Sequence, residues 1–240
     1  MSQKPKIFIG GDSWGCGEWD RNKFGRYGVT HRGLEQFFMD RSYTVINASV
    51  LSGSNHQSIQ QLDLSLSLYC KNDIVFWIQT DSLRDLEPFD TLNKDIVSAG
   101  GLDTLISDTV NQNYQNLDSI AKKLDTKIQC IGGKQDLDLI QLEKFTNLNP
   151  FVSSWVYMIA GHFNEYKDLF PQHTLTNSVI RYIDRNAMST ELFYNTIDIL
   201  YSLEQNFKIY DEEIFHPDGF HPNRNGHQIM FDYIIKELNL

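Results

Sequence analysis

Short runs of β-branched and aromatic residues alternate along this chain with stretches in which apolar residues return every three or four positions. The runs Lys6 to Gly10, Tyr43 to Ala48, Ile74 to Gln79 and Lys127 to Gly132 predict strands, and Phe207 to Tyr210 predicts a fifth. Leu34, Phe37 and Phe38 follow i, i+3, i+4 spacing between the first two runs. Ile59, Leu62, Leu66 and Tyr69 keep a helical period before the third, and Ile106, Val110, Leu117, Ile120 and Leu124 do so before the fourth. Each helix therefore offers one apolar face to a sheet. Strands alternating with amphipathic helices predict an α/β fold with a parallel sheet and covering helices.

The last helix is expected just after His221-Pro222, with Asn225 placed to cap it, Gln228 to reach back, and Ile229, Met230, Tyr233 and Ile234 facing inward. Residues 133–206 do not fit a simple crossover. They carry several helix-like pieces and many aromatics, among them Phe145, Phe151, Trp155, Tyr157, Phe163, Tyr166 and Phe170. This stretch is expected to be a mostly helical insertion before the last strand, serving either as extra helices on the sheet edge or as a cap over a site. A single domain over residues 1–240 is expected, since 240 residues suffice for one large α/β core. No internal repeat interrupts that organisation.

Composition narrows the partners. Hydrophobic residues make up 41% and charged residues 22% of the chain, ordinary for a globular protein, and 12% aromatic content supplies core material. A net charge of -10 opposes a nucleic-acid partner, because that binding depends on Lys and Arg neutralising phosphates. No apolar run approaches the ~20 residues of a membrane span. The first residues, Met-Ser-Gln-Lys-Pro-Lys, lack the apolar core and cleavage site of a signal peptide. Cys16, Cys70 and Cys130 are odd in number and without CxxC spacing, which argues against a disulfide framework or a zinc site. A cytoplasmic, reduced protein is the default expectation, although a virion protein or one exported without a cleavable signal would look the same.

Two stretches carry candidate chemistry. Gly11-Asp12-Ser13-Trp14-Gly15-Cys16-Gly17-Glu18-Trp19 follows the first strand directly. Gly, Asp and Ser are ordinary turn residues, yet a serine on a tight turn at the carboxyl end of a strand can also be exposed as a nucleophile. Near the other end stands Asp218-Gly219-Phe220-His221-Pro222. An Asp three residues before a His can set its carboxylate beside the imidazole and stabilise the imidazolium when it forms. A parallel sheet brings the carboxyl ends of its strands to one edge, so Ser13 and His221 can reach the same crevice.

With those residues in view, the chain resembles the SGNH hydrolases, also called GDSL esterases and lipases. Gly11-Asp12-Ser13 matches the first block, Gly53 in the stretch Val45 to Asn55 the second, and Asp218 with His221 the last. The resemblance runs from residue 6 to about residue 230 outside the insertion. It implies a flavodoxin-like three-layer sandwich with about five parallel strands. It further implies Ser13 as nucleophile, His221 as general base and acid, Asp218 as its orienter and the Ser13 and Gly53 amides as oxyanion donors. The third block departs from the pattern: Ile78-Gln79-Thr80-Asp81 stands where the family has GxND, so Thr80 occupies the asparagine position. A hydroxyl has a shorter reach than an amide. Thr80 could replace the amide, Asn55 could reach in from the second loop, or the hole could be weaker, and the first is preferred. Asp81 matches the aspartate of that block and could equally cap a helix.

Other residues carry smaller expectations. Cys16 reads as a small packing residue rather than a second nucleophile. His216 could line the site, His227 fits the first turn of the last helix, and His56 could approach the crevice. Trp14 and Trp19 could form a stacking wall, with core packing as the plainer reading. No acidic pair has metal-ligand spacing, and no phosphate-cradling GxxxxGK[ST] occurs. The resulting expectation is ester hydrolysis without cofactor or metal, on a small-molecule or carbohydrate O-acyl ester, slowing as the histidine protonates below pH ~6.5 for an unshifted imidazole. A non-catalytic carbohydrate-binding or virion-assembly module and an acyltransferase with the same triad remain open. Oligomeric state is not legible.

Overall fold

The computed structural model describes residues 4–21, 27–86, 101–133, 135–155, 158 and 221–240. The expected strand Phe207 to Tyr210 lies outside them. The first strand, β1 (Ile7–Gly10), runs into a single helical turn, α1 (Ser13–Cys16). An antiparallel hairpin follows, β2 (Glu18–Arg21) with β3 (Tyr27–His31). Next come α2 (Leu34–Asp40), β4 (Val45–Asn47), α3 (Asn55–Ser65) and β5 (Ile74–Gln79). A 3-10 turn over Ser82–Leu86 precedes α4 (Gly101–Lys123), β6 (Ile128–Gly132), α5 (Leu139–Leu142), β7 (Leu148–Val152) and finally α6 (Arg224–Leu238).

Among the described residues, five strands form one parallel sheet in the order β4-β1-β5-β6-β7. Numbered along the sheet's own strands this is 2-1-3-4-5, the flavodoxin-like order, whose direction reverses between β1 and β5. The central strand β5 reads Ile-Val-Phe-Trp-Ile-Gln and is buried from Val75 onward, as a strand covered on both faces should be. Side chains alternate between two cores with period two. Ile7, Ile9, Phe76, Ile78 and Ile131 join Leu34 and Phe38 of α2 and Met230, Phe231 and Ile234 of α6. Phe8, Val75, Trp77, Ile128 and Cys130 join Ile59 and Leu62 of α3 and Ile106, Val110, Tyr114 and Leu117 of α4. The result is a three-layer α/β sandwich. Each fully buried large apolar side chain contributes about 1.5–3 kcal/mol, so both layers are needed to hold the sheet.

Three sequence expectations change. Leu148–Val152 lies inside the stretch expected to be a helical insertion, yet it pairs in parallel with β6 as the fifth strand of the sheet. Its Pro150 demotes it in any reading of sequence, and a proline is tolerated because β7 is the edge of the sheet among the described residues, with a register shift opposite Cys130 and Ile131. The remainder of that stretch falls mostly outside the described residues. The cap of α6 is Asn223, whose side chain accepts from the Asn225 and Gly226 N–H groups, in place of Asn225. The hairpin of β2 and β3 was not expected at all. Two glycines make its junctions possible: Gly17 at φ +123° and Gly33 at φ +54°. At Gly33 a Cβ atom would lie 2.5 Å from His227 Nδ1, so only glycine fits there.

Candidate active site

Because the sheet is parallel, the segments after β1, β4 and β5 meet at one edge, beside the point where strand order reverses. Ser13 is the first residue of α1. Asp12 caps that turn, its Oδ1 accepting from the Trp14 N–H at 3.0 Å. Asn47 at the end of β4 donates to the Gly15 carbonyl at 2.9 Å, which ties the turn to the sheet. Gly15 itself leaves no room for a side chain against Ser49. The serine is thus held on a short, heavily braced turn.

His221 arrives from the far end of the sequence, just before the cap of α6. Its Nε2 lies 2.9 Å from Ser13 Oγ. With the ring proton on Nδ1, Nε2 accepts the serine hydroxyl proton, which is the geometry of a nucleophile beside its base. Asp218 and His216 lie outside the described residues.

The oxyanion candidates take up other partners. Thr80, buried at the end of β5, donates its hydroxyl proton to Asp12 Oδ2 at 2.5 Å. Asn55 clamps the backbone of Thr80: its Oδ1 accepts from the Thr80 N–H at 2.8 Å, and its Nδ2 donates to the Thr80 carbonyl at 3.2 Å and to Asp85 Oδ2 at 3.0 Å. The Gly53 N–H donates to the Val50 carbonyl at 3.0 Å. A hydroxyl has one proton and a carboxamide two. Thr80 and Asn55 therefore reach an oxyanion only by exchanging these bonds, whereas the Ser13 amide, first in its helix, has no intrahelical acceptor.

Asp12 is wholly buried, and a buried carboxylate must be paired. Besides Trp14 and Thr80 it takes Arg84, whose Nη1 stands 3.1 Å from Asp12 Oδ2 and also donates to the Gly53 carbonyl at 3.3 Å. Arg84 so joins the Ser13 turn to the loop of Gly53, a link that sequence reading missed. A lone arginine in a 3-10 turn carries no periodic or spacing signal. Trp19 was read only as a stacking or core residue. It is 5% exposed, its Nε1 donates to the Ser13 carbonyl at 2.9 Å, and its ring lies 5.7 Å from that of His221, centroid to centroid.

The remaining candidates sort by burial. Cys16 is pushed up to about 11, first by burial and then by the charges of Asp12 and Glu35, so its thiol stays protonated and a poor nucleophile. His56 is exposed, with its ring against Gln60. Trp14 packs edge-on against Trp155 in the core. His227 is buried against Trp155, and burial lowers it to about 3. Among the described residues no group of three His, Cys, Asp or Glu could hold a metal ion, and no helix is long and apolar enough to cross a membrane.

Comparison with known proteins adds little sequence likeness. No model of a known protein family matches the chain, and no curated protein matches it. Solved structures do. A lipase/acylhydrolase from Enterococcus faecalis shares 14% identity over 98% of this chain and 95% of its own, with a TM-score of 0.43. The psychrotrophic esterase EstA from a Pseudoalteromonas species shares 15% over 99% of this chain and 100% of its own, at 0.43. AlinE4, described as an SGNH-hydrolase family esterase, shares 18% over 78% of this chain and 95% of its own, at 0.33. All three scores lie below 0.5, and the fold assignment rests on the sheet itself: a flavodoxin-ordered α/β sandwich with a serine and a histidine in contact at the carboxyl edge.

Proposed function

We propose that the chain is a serine esterase of the SGNH type, hydrolysing small or carbohydrate O-acyl esters by double displacement. The single observation that carries this reading is the 2.9 Å contact between Ser13 Oγ and His221 Nε2 at the strand-order reversal. Ser13 Oγ attacks the ester carbonyl while its proton passes to His221 Nε2. The tetrahedral oxyanion rests on the Ser13 amide, with the Gly53 amide and either Thr80 or Asn55 joining if their present bonds exchange. His221 then gives the proton to the departing alcohol. It next takes one from water, whose oxygen attacks the acyl-Ser13 carbonyl, and on collapse returns that proton to Ser13 Oγ as the carboxylic acid leaves. Asp218, outside the described residues, is proposed to orient the imidazole and stabilise the imidazolium.

A non-catalytic module on the same fold is the second reading. It is favoured by one specific observation, that the side-chain protons of Thr80 and Asn55 are both already donated within the protein. A fluorophosphonate separates the two. Peptide mapping is expected to find an adduct confined to Ser13, absent from Ser13→Ala and strongly slowed in His221→Ala. An ester panel should then show kcat lowered by at least ~10³-fold in either variant. A folded wild type that stays unlabelled, while a known serine esterase reacts in the same tube, would sink the esterase reading and leave the binding module.

A further inference from the structure

We propose that Trp19 is a positioning residue that holds the Ser13 turn and the His221 ring in register and favours the imidazolium that forms when the base takes its proton. The inference rests on the reading of Ser13 and His221 as nucleophile and base, and adds a component that neither the motif nor the triad contains.

Trp19 lies on β2, where the pairing with β3 shifts register between Glu18 and Trp19. A bulge of this kind re-aims a side chain, and here the indole turns under the nucleophile turn and against the base. Its N–H end donates to the Ser13 carbonyl at 2.9 Å, fixing the residue that carries the attacking oxygen. Its ring lies 5.7 Å from the imidazole at an interplanar angle of 41°. A cation within about 6 Å of an indole is attracted by the ring quadrupole, so this contact strengthens as positive charge develops on His221.

The neighbouring ion pair cannot do the same work. Glu18 Oε2 accepts from Arg224 Nε at 3.1 Å and ties the same strand to the start of α6, but the arginine side chain is 57% exposed. An exposed pair of this kind contributes little. The buried indole is the stronger link between the hairpin and the base. His227 on α6 is close enough to His221 and to His31 on β3 for their charges to interact, and the Glu18–Arg224 pair joins β2 beside Trp19 to the start of α6. His227 stays neutral because burial lowers it to about 3.

The test begins without substrate. Protonated imidazole quenches a touching indole, so tryptophan emission of the wild type should fall on acidification while the protein stays folded. His221→Ala should abolish that transition although Trp19 remains, and Trp19→Phe should lack it although the other three tryptophans remain. With an ester in hand, Trp19→Phe keeps a ring face but loses the donor to Ser13, and Trp19→Leu loses both. The expected result is kcat down roughly three- to tenfold in the first and a further few-fold in the second, with KM little changed. The acid limb of the kcat profile should also move to lower pH in Trp19→Leu relative to Trp19→Phe. An emission transition that persists in His221→Ala, or kcat at the wild-type value in a folded Trp19→Leu, overturns the proposal. A transition that vanishes in His221→Ala while the wild type stays unlabelled by fluorophosphonate supports the Trp19–His221 coupling while refuting the esterase reading.

Discussion

Replacing His227 by leucine should make the protein markedly less sensitive to mild acid. His227 is 0% exposed on α6, its ring edge-on to Trp155 at 5.0 Å and against the Gly33 backbone. Burial, the largest cause, lowers it from 6.5 to about 3. The Gly17 backbone opposes that, while His31 and His221 add to it. Neither ring nitrogen makes a hydrogen bond of ordinary geometry, so the opposition from Gly17 is weak. The sign follows from linkage: above pH ~6.5 the ring is neutral in both states, and below it the unfolded chain binds a proton that the fold refuses. Stability is therefore lost at about 1.4 kcal/mol per pH unit as pH falls from ~6.5 toward ~3. Between pH 7.5 and pH 5 the loss from this one group is about 2 kcal/mol. Leucine has a similar volume and cannot charge. Urea unfolding at the two pH values should show the wild-type midpoint falling further than that of His227→Leu by ~1 M, for a slope of about 2 kcal/mol/M. The other titrating groups are common to both proteins and cancel in the comparison. Equal acid shifts in the two midpoints would refute the buried, neutral histidine.

Gly33→Ala should destabilise the fold by about 2–4 kcal/mol, combining a left-handed backbone with a new methyl driven into the His227 ring, and thermal unfolding would register it. The double variant with His227→Ala should recover part of that loss, since the ring that blocks the methyl is gone. For the cysteines, iodoacetamide at pH 8 should modify exposed Cys70 about a hundredfold faster than Cys16, whose thiol is held near 11. Comparable rates at the two positions would mean that the Ser13 turn opens readily.

The parts of the fold that were legible are those whose cause is local. The strand Ile74–Gln79 and the helix faces of α3 and α4 follow from apolar runs and periods that burial on a sheet enforces. The hairpin left no such trace, because β2 and β3 are short and polar, and β3 carries Gly28. β7 was hidden by Asn149 and Pro150, and a proline fits a strand only at an edge or a bulge. In the site, Ser13 and His221 stood out because turn chemistry and residue type mark them. Thr80 and Asn55 were found as candidates, but not as partners of one another, since the bonds between them join residues 25 apart. Arg84 and Trp19 act across 72 and 6 residues through contacts that no spacing rule encodes.

The Ser13–His221 contact spans 208 residues. A ribosome makes the serine and its braced turn 208 residues before the histidine, so the pair does not exist in the nascent chain while the intervening strands are being synthesised. Closing so long a loop also places this contact among those whose entropy is recovered last on folding. Ser13 and His221 can therefore meet only after β1, β4, β5, β6 and β7 have all been synthesised.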